Sequence, residues 1–298
     1  MSCACAIFSA TARALRRLKP PRRFDRVRAS RKLYRMTAEW WREGIDALFA
    51  YLDSGGWDKI QQFVERRLPV AAMRKALNDE ELRFFVELLA GFRFYDDAEL
   101  RAAAIVEATR FETFNEAARF ALRQLGIASP EFHLRNERIK DFVLERKQAD
   151  VHAARNNLES ILSAILENFY ELGRNPYDTD FIAKLKKELG GVADWQARRF
   201  ALTETGIASE LAQAEVYRRN GVTRKRWNIL GVNTRDTHAA LDGVEVGIDE
   251  QFMVGGYPAD HPLDPRLPAG ELVNCHCWLT PVVSDDFELD PARIWEGD

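Results

Sequence analysis

Cysteine is scarce in this chain, four in 298 residues and two towards each end, which excludes a scaffold held by disulfides. Long apolar runs are missing too. None reaches the roughly 18–20 residues that cross a bilayer, so no membrane partner is expected. The apolar stretch Ser2–Ala10 is short, and its basic residues follow rather than precede it, the wrong order for a secretory signal. There is no G-x-x-x-x-G-K-[ST] loop and no G-x-S-x-G elbow, and the Gly255–Gly256 pair is not a phosphate-binding fingerprint. Carboxylate pairs for acid–base work cannot be singled out. Asp79, Glu80 and Glu81, like Asp96 and Asp97, stand where helical patterns begin, and the helix dipole accounts for them. What remains is a chain suited to a reducing compartment.

Charge is plentiful and unevenly spread. Hydrophobic residues make up 46% and charged residues 30%, enough apolar matter for a real core. Residues 13–35 hold eleven Lys/Arg against the single acid Asp25, and residues 1–12 hold no charged side chain. The first 35 residues therefore carry +10 and, at a net −3, the remainder carries −13. A basic arm, residues 1–35, on an acidic body is the expectation, with the arm disordered. Arg16, Arg17, Arg22 and Arg23 are its candidate nucleic-acid contacts. Three other readings stay open: contact with the protein's own acidic surface, an Arg-rich transit peptide, and translated upstream sequence, since Met36 opens a stretch that reads like an ordinary start.

From Thr37 to about Asn220 the apolar spacing is helical. Asn78–Phe92 places Leu82, Phe85, Val86 and Leu89 on one face behind a candidate N-cap, Asn78. A second helix runs from Asp96 to Gly126, a natural stop. A long one is expected over 129–173, and a short one ends at Gly190–Gly191. A last one spans Asp194–Asn220 and closes at Gly221. The texture then changes. Lys225–Val232 reads as a strand and Leu241–Ile248 as a turn and strand around Asp242–Gly243. Val254–Gly270 reads as a Pro/Gly-rich loop, and Cys275–Val283 as a closing strand with Pro281 at an edge. The fold class expected is α+β: helical residues 36–190, a small α+β domain over 191–283, and an acidic, mobile tail over 284–298.

Three clusters invite chemistry. Cys275 and Cys277 lie on one face of an extended segment with His276 opposite, which suits two metal ligands or two buried thiols equally. A zinc site would need about four N, S or O ligands, and His238, His261, His276 or Asp260 could complete the set. A disulfide between residues two apart has poor geometry. Arg235 and His238, three apart, would sit side by side on a helical turn and could hold an anion, or Thr234 or Thr237 could merely cap a short helix. Thr203–Glu204, on the helix with Arg199, is either a solvated face or half of an Arg–Glu pair to another element.

In their order these pieces say more. The Arg-rich helix with Thr203–Glu204 is followed by Trp227, Arg235-x-x-His238, Asp242–Gly243 and Phe252. A Pro-rich loop and Asn274–Cys275-x-Cys277 complete the series over residues 195–280. That series resembles the phage Mu protein F-like minor head proteins of the head morphogenesis family. The middle residue of the Cys-x-Cys pattern is usually Arg there and is His276 here. The resemblance implies a non-enzymatic head component of a tailed phage or prophage, located in the virion and, during assembly, in the host cytoplasm. Its implied partners are the portal protein, a scaffold or major capsid protein, and DNA for the basic arm. No cofactor is implied; Cys275, Cys277 and His238 would hold the small domain together, either by packing or through zinc. The competing class is an ADP-ribosyltransferase-like enzyme using a nicotinamide cofactor. The C-terminal region lacks Glu-x-Glu and offers only Glu250 and Glu271 as loose carboxylates. A toxin fused behind the domain is not expected, since little sequence follows residue 283.

Overall fold

A computed structural model of the chain describes residues 23–56, 58, 94–127, 130–135, 141, 179–231, 233–284, 287–290, 294, 295 and 297. The expected helix over Asn78–Phe92, nearly all of that over 129–173, and Arg16, Arg17 and Arg22 lie outside them. Among the described residues three long helices come first: α1 (Arg26–Tyr51), continued by a π turn over Leu52–Gly56, α2 (Phe94–Gln124) and α3 (Thr179–Arg219). Short elements follow: β1 (Arg224–Asn228), α4 (Asp236–Ala239), β2 (Glu245–Gly247), β3 (Phe252–Val254), β4 (Tyr257–Ala259), α5 (Ala269–Leu272) and β5 (Trp278–Val282). The α+β class read from the sequence is what forms.

The strands make two antiparallel sheets. One has the order β2-β1-β5, and the other is the β3–β4 hairpin. In the first, Trp227 stands opposite Leu279 and Arg226 opposite both Glu245 and Thr280. Pro281 is on β5, an edge strand, where a missing N–H leaves no central ladder incomplete. The hairpin turns at Gly255 and Gly256, both at positive φ, so the Pro/Gly-rich stretch is partly strand rather than loop.

The chain divides into two compact units. One comprises Met1–Leu33, Glu107–Glu145 and Arg199–Asp298, the other Tyr34–Val106 and Arg146–Arg198. These bounds differ from a division at 35, 190 and 283, for a local reason. Gly190 and Gly191 are both helical, and α3 runs through them without a break. A glycine in mid-helix costs only about 1 kcal/mol, which packing elsewhere on so long a helix can offset. The helix does end where Asn220 and Gly221 suggest, with Gly221 at φ 78 and its N–H bonded to the Arg218 carbonyl.

The first unit holds a core of Phe114, Leu122, Phe132, Val216, Tyr217, Trp227, Phe252, Leu263 and Leu279, each 2% exposed or less. Two parts of the sequence expected to be loose join it. Phe24 and Leu33 are buried, so residues 23–33 are folded rather than a disordered arm, and Met36 falls inside α1. At the other end Trp295 is buried, its ring meets Phe132 edge-on at 5.2 Å, and its backbone N–H donates to Asn220 Oδ1 at 3.0 Å. Phe287, Leu289 and Ile294 pack on the same core. Acidic composition hid these four apolar anchors.

In the second unit Trp40, Trp41, Ile45, Leu48 and Phe49 of α1 are buried, as are Leu189, Ala193 and Ala197 of α3. Lys186 Nζ lies 4.7 Å from the Phe49 ring centre, and Arg42 pairs with Asp194 at 2.6 Å. Trp195 is more than half exposed.

Candidate metal centre

Cys275 and Cys277 sit just ahead of β5 rather than on it, in a segment that buries both and leaves His276 exposed. The alternation of burial expected of a strand therefore holds, although the ladder starts only at Trp278. Asn274 turns the chain into this segment at φ 59, a conformation Asn tolerates better than most residues.

His238 reaches the two thiols from α4. The helix starts at Arg235 without a side-chain cap, so neither Thr234 nor Thr237 caps it. Thr237 Oγ1 instead donates to Glu271 Oε2 at 2.9 Å. His238 is 1% exposed, and the Trp227 ring meets its imidazole edge-on at 5.7 Å. Its Nδ1 lies 3.3 Å from Cys277 Sγ and 3.5 Å from Cys275 Sγ, and its Nε2 lies 2.9 Å from Glu271 Oε2. The three candidate ligand atoms, one per residue, all fall within 4.8 Å of one another. Trp227, His238 and Cys277, far apart in sequence, thus share one buried knot.

The knot is electrostatically loaded. The Cys275 thiol is held far below its ordinary value, at about 4: the hydrogen bond from Cys277 lowers it, burial opposes, and His238 lowers it again. Cys277 moves up, through that same bond to Cys275, burial, and the Cys275 charge. Burial pulls His238 down, but its bond to Cys275 and the Cys275 charge outweigh that and raise it.

A second buried arrangement fixes the cysteine segment from behind. The Arg26 guanidinium of α1 pairs with Glu210 of α3, and the two are 3% and 0% exposed. Arg26 also donates to the Cys277 carbonyl at 2.6 Å and the Cys275 carbonyl at 3.5 Å. Glu210 accepts from Gln213 Nε2 at 3.1 Å and from the Leu279 N–H at 2.7 Å. Burial pushes the Glu210 carboxyl up, and the Arg26 charge and hydrogen bond pull only part of the way back.

The other motif residues serve the same unit. Thr203 Oγ1 donates to the Arg199 carbonyl at 2.9 Å, and the buried Glu204 accepts from Arg110 of α2. Arg235 donates to the Val273 carbonyl and does not join His238 in an anion site. Asp242 accepts from the Ile229 N–H at 3.2 Å. Gly243, at φ 73, donates its N–H to the Trp227 carbonyl at 2.9 Å. Phe252 packs on Trp227 at 5.2 Å. Neither His261 nor Asp260 enters the knot: His261 Nδ1 contacts the Pro262 carbonyl, and Asp260 pairs with Arg266. Arg23, half-buried, lies over the Trp278 ring at 5.8 Å.

Arg26, Glu210 and the contact role of Glu271 escape a reading of the sequence. Arg26 is one of eleven neighbouring cations, with nothing to set it apart. Glu210 did leave a signal: Gly206, Glu210, Gln213 and Tyr217 fall at i, i+4, i+7 and i+11, one helical stripe that faces inward.

Residues 176–280 match the family described as Phage Mu protein F like protein. Over 194 residues the chain is 29% identical to the uncharacterized protein YqbB of Bacillus subtilis (strain 168), covering 63% of this chain and 62% of that protein. Over 95 residues it is 37% identical to the NAD(+)–arginine ADP-ribosyltransferase EFV of Enterococcus faecalis (strain ATCC 700802 / V583). That alignment covers 30% of this chain and 19% of that protein. The chain therefore spans less than two thirds of the length of either curated relative. No solved structure matches it. The motifs from Thr203 to Cys277 fall inside the matched span, so the C-terminal region is similar to the Mu F-like family.

Proposed function

We propose that this chain is a minor head protein of a tailed phage or prophage, bound to the portal during head assembly and carried in the virion, with no catalytic role. The observation that carries the reading is the Mu F-like match over residues 176–280. The use of the motif residues supports it. Glu204, Arg235, His238, Asp242, Cys275 and Cys277 are engaged with one another or with nearby backbone and packing partners, as architectural residues are. Among the described residues, no helix is long and apolar enough to cross a membrane.

The test is co-expression with the portal protein encoded in the same genome, followed by sedimentation. The chain is expected to travel with portal rings and to be incorporated into procapsids formed with scaffold and major capsid protein. Sedimentation as free protein in the presence of assembled rings overturns the reading. Contact of the basic residues before Arg23 with packaged DNA is a subsidiary proposal. It predicts DNA retention that weakens steeply with salt and disappears when residues 1–22 are removed.

A second reading, ADP-ribosyl transfer, has the 37% identity to a named transferase in its favour. Against it, the aligned part is 19% of that enzyme, and both loose carboxylates have structural partners. Glu271 bonds His238 and Thr237, and Glu250 Oε2 accepts the Gly247 N–H at 2.7 Å. Cleavage of NAD by the purified chain, lost in a Glu271→Gln variant, would favour the enzyme, and no cleavage would dispose of it.

A further inference from the structure

We propose that His238, Cys275 and Cys277 bind one zinc ion through Nδ1 and two thiolates, with Glu271 orienting the imidazole from its other nitrogen. The site does not depend on the head-assembly reading.

The spacing of the three side chains matches the ion. Tetrahedral Zn–S and Zn–N bonds of about 2.3 and about 2.05 Å place a nitrogen and a sulfur ligand about 3.5 Å apart. His238 Nδ1 stands 3.3 and 3.5 Å from the two sulfurs. Hydrogen bonding alone uses this arrangement badly. Both sulfurs lie within hydrogen-bond distance of the one ring nitrogen, which has a single proton or lone pair to offer them. A metal ion satisfies both sulfurs and the nitrogen at once. The Glu271–His238 bond is the outer contact that zinc-bound imidazoles commonly make: it fixes the tautomer and raises the basicity of Nδ1. Thr237 Oγ1, bonded to the same Glu271 oxygen, holds that carboxylate in place.

Charge also balances. Zn²⁺ with two thiolates and a neutral imidazole is neutral overall, which suits a buried site. Among the described residues no fourth His, Cys, Asp or Glu joins the cluster. The site ties α4 to the segment before β5, elements 37 and 39 residues apart along the chain. A small domain with long loops gains most from such a clip.

The experiment uses the full chain, carrying no polyhistidine tag, purified from zinc-supplemented cells. Elemental analysis should find one zinc per chain. Exchange for Co²⁺ should give a thiolate-to-cobalt charge-transfer band with the strong visible bands of a tetrahedral ion. Cys277→Ser should lose both signals. Glu271→Gln keeps the three ligands, and its zinc affinity should fall about 10–100-fold in competition with a chromogenic chelator. That variant keeps the test open if Cys277→Ser fails to fold. Substoichiometric zinc together with no cobalt–thiolate band in the folded wild-type chain overturns the site. Unchanged zinc affinity in Glu271→Gln overturns the orienting role.

Discussion

Replacing Arg26 with Met should cost about 3 kcal/mol of unfolding free energy. Arg26 and Glu210 are 3% and 0% exposed, so the substitution leaves a carboxylate with no cation in a dry site. Removing one partner of a buried pair costs about 3–5 kcal/mol, because the other charge stays buried and uncompensated. The low end applies here. Gln213 and the Leu279 N–H continue to serve Glu210, and the Met side chain fills part of the vacated volume. The bonds lost to the Cys277 and Cys275 carbonyls fall within that figure. Urea unfolding followed by tryptophan fluorescence measures the difference, since Trp227 lies in the core of the same unit. The control is Glu210→Gln in the Arg26→Met background, which removes the stranded charge and should recover more than half of the loss. A change under about 1 kcal/mol for Arg26→Met would refute the reasoning, and with it the claim that the segment before Met36 belongs to the folded unit.

Three further outcomes follow from the same structure. Burial pushes Asp264 up, but the Arg266 hydrogen bonds, His261 and two backbone N–H groups hold it at about 2 against its ordinary 3.8. A depressed carboxyl contributes stability above its unfolded value and loses it as pH falls from there through about 2. The ceiling is about 2 kcal/mol, nearer 1 because Arg266 is half exposed. Asp264→Asn should therefore show a flatter acid-unfolding curve than wild type, and parallel curves would contradict the assignment. A methyl group at Gly206 would meet Leu263 Cδ1 at 2.5 Å, and Leu263 is buried and fixed at φ 60. Gly206→Ala should lose about 1–2 kcal/mol by denaturant titration despite the better helix propensity of Ala, and a gain would show that the loop yields. Trp295→Ala should cost about 3 kcal/mol through its lost packing on Phe132. Unchanged melting would mean that the C-terminal segment does not dock.

Legibility in the sequence followed the range of the interactions. The closing strand, the Asp242–Gly243 turn and the helix stop at Gly221 are local events, each announced by residues a few positions apart, and each formed. The shared face of Cys275 and Cys277 was legible for the same reason, because alternation is a property of extended backbone alone. Long-range partners were not. Nothing near Cys277 indicates that Arg26, 251 residues earlier, donates to its carbonyl. Composition misled at both ends: a run of cations hid Phe24 and Leu33, and an acidic tail hid Phe287 and Trp295. Gly190–Gly191 misled differently, since glycine permits a helix end without requiring one. The site's ligands were visible as residue types, whereas Glu271, which orients one of them, needed the fold to bring it within 2.9 Å of His238.

The most direct measurement of the central claim is quantitative mass spectrometry of phage particles purified from an induced lysogen that carries this gene. The account predicts peptides of this chain at a low, constant ratio to the portal protein in DNA-filled heads and in procapsids alike. Particles that are complete, infectious and free of the chain would contradict it.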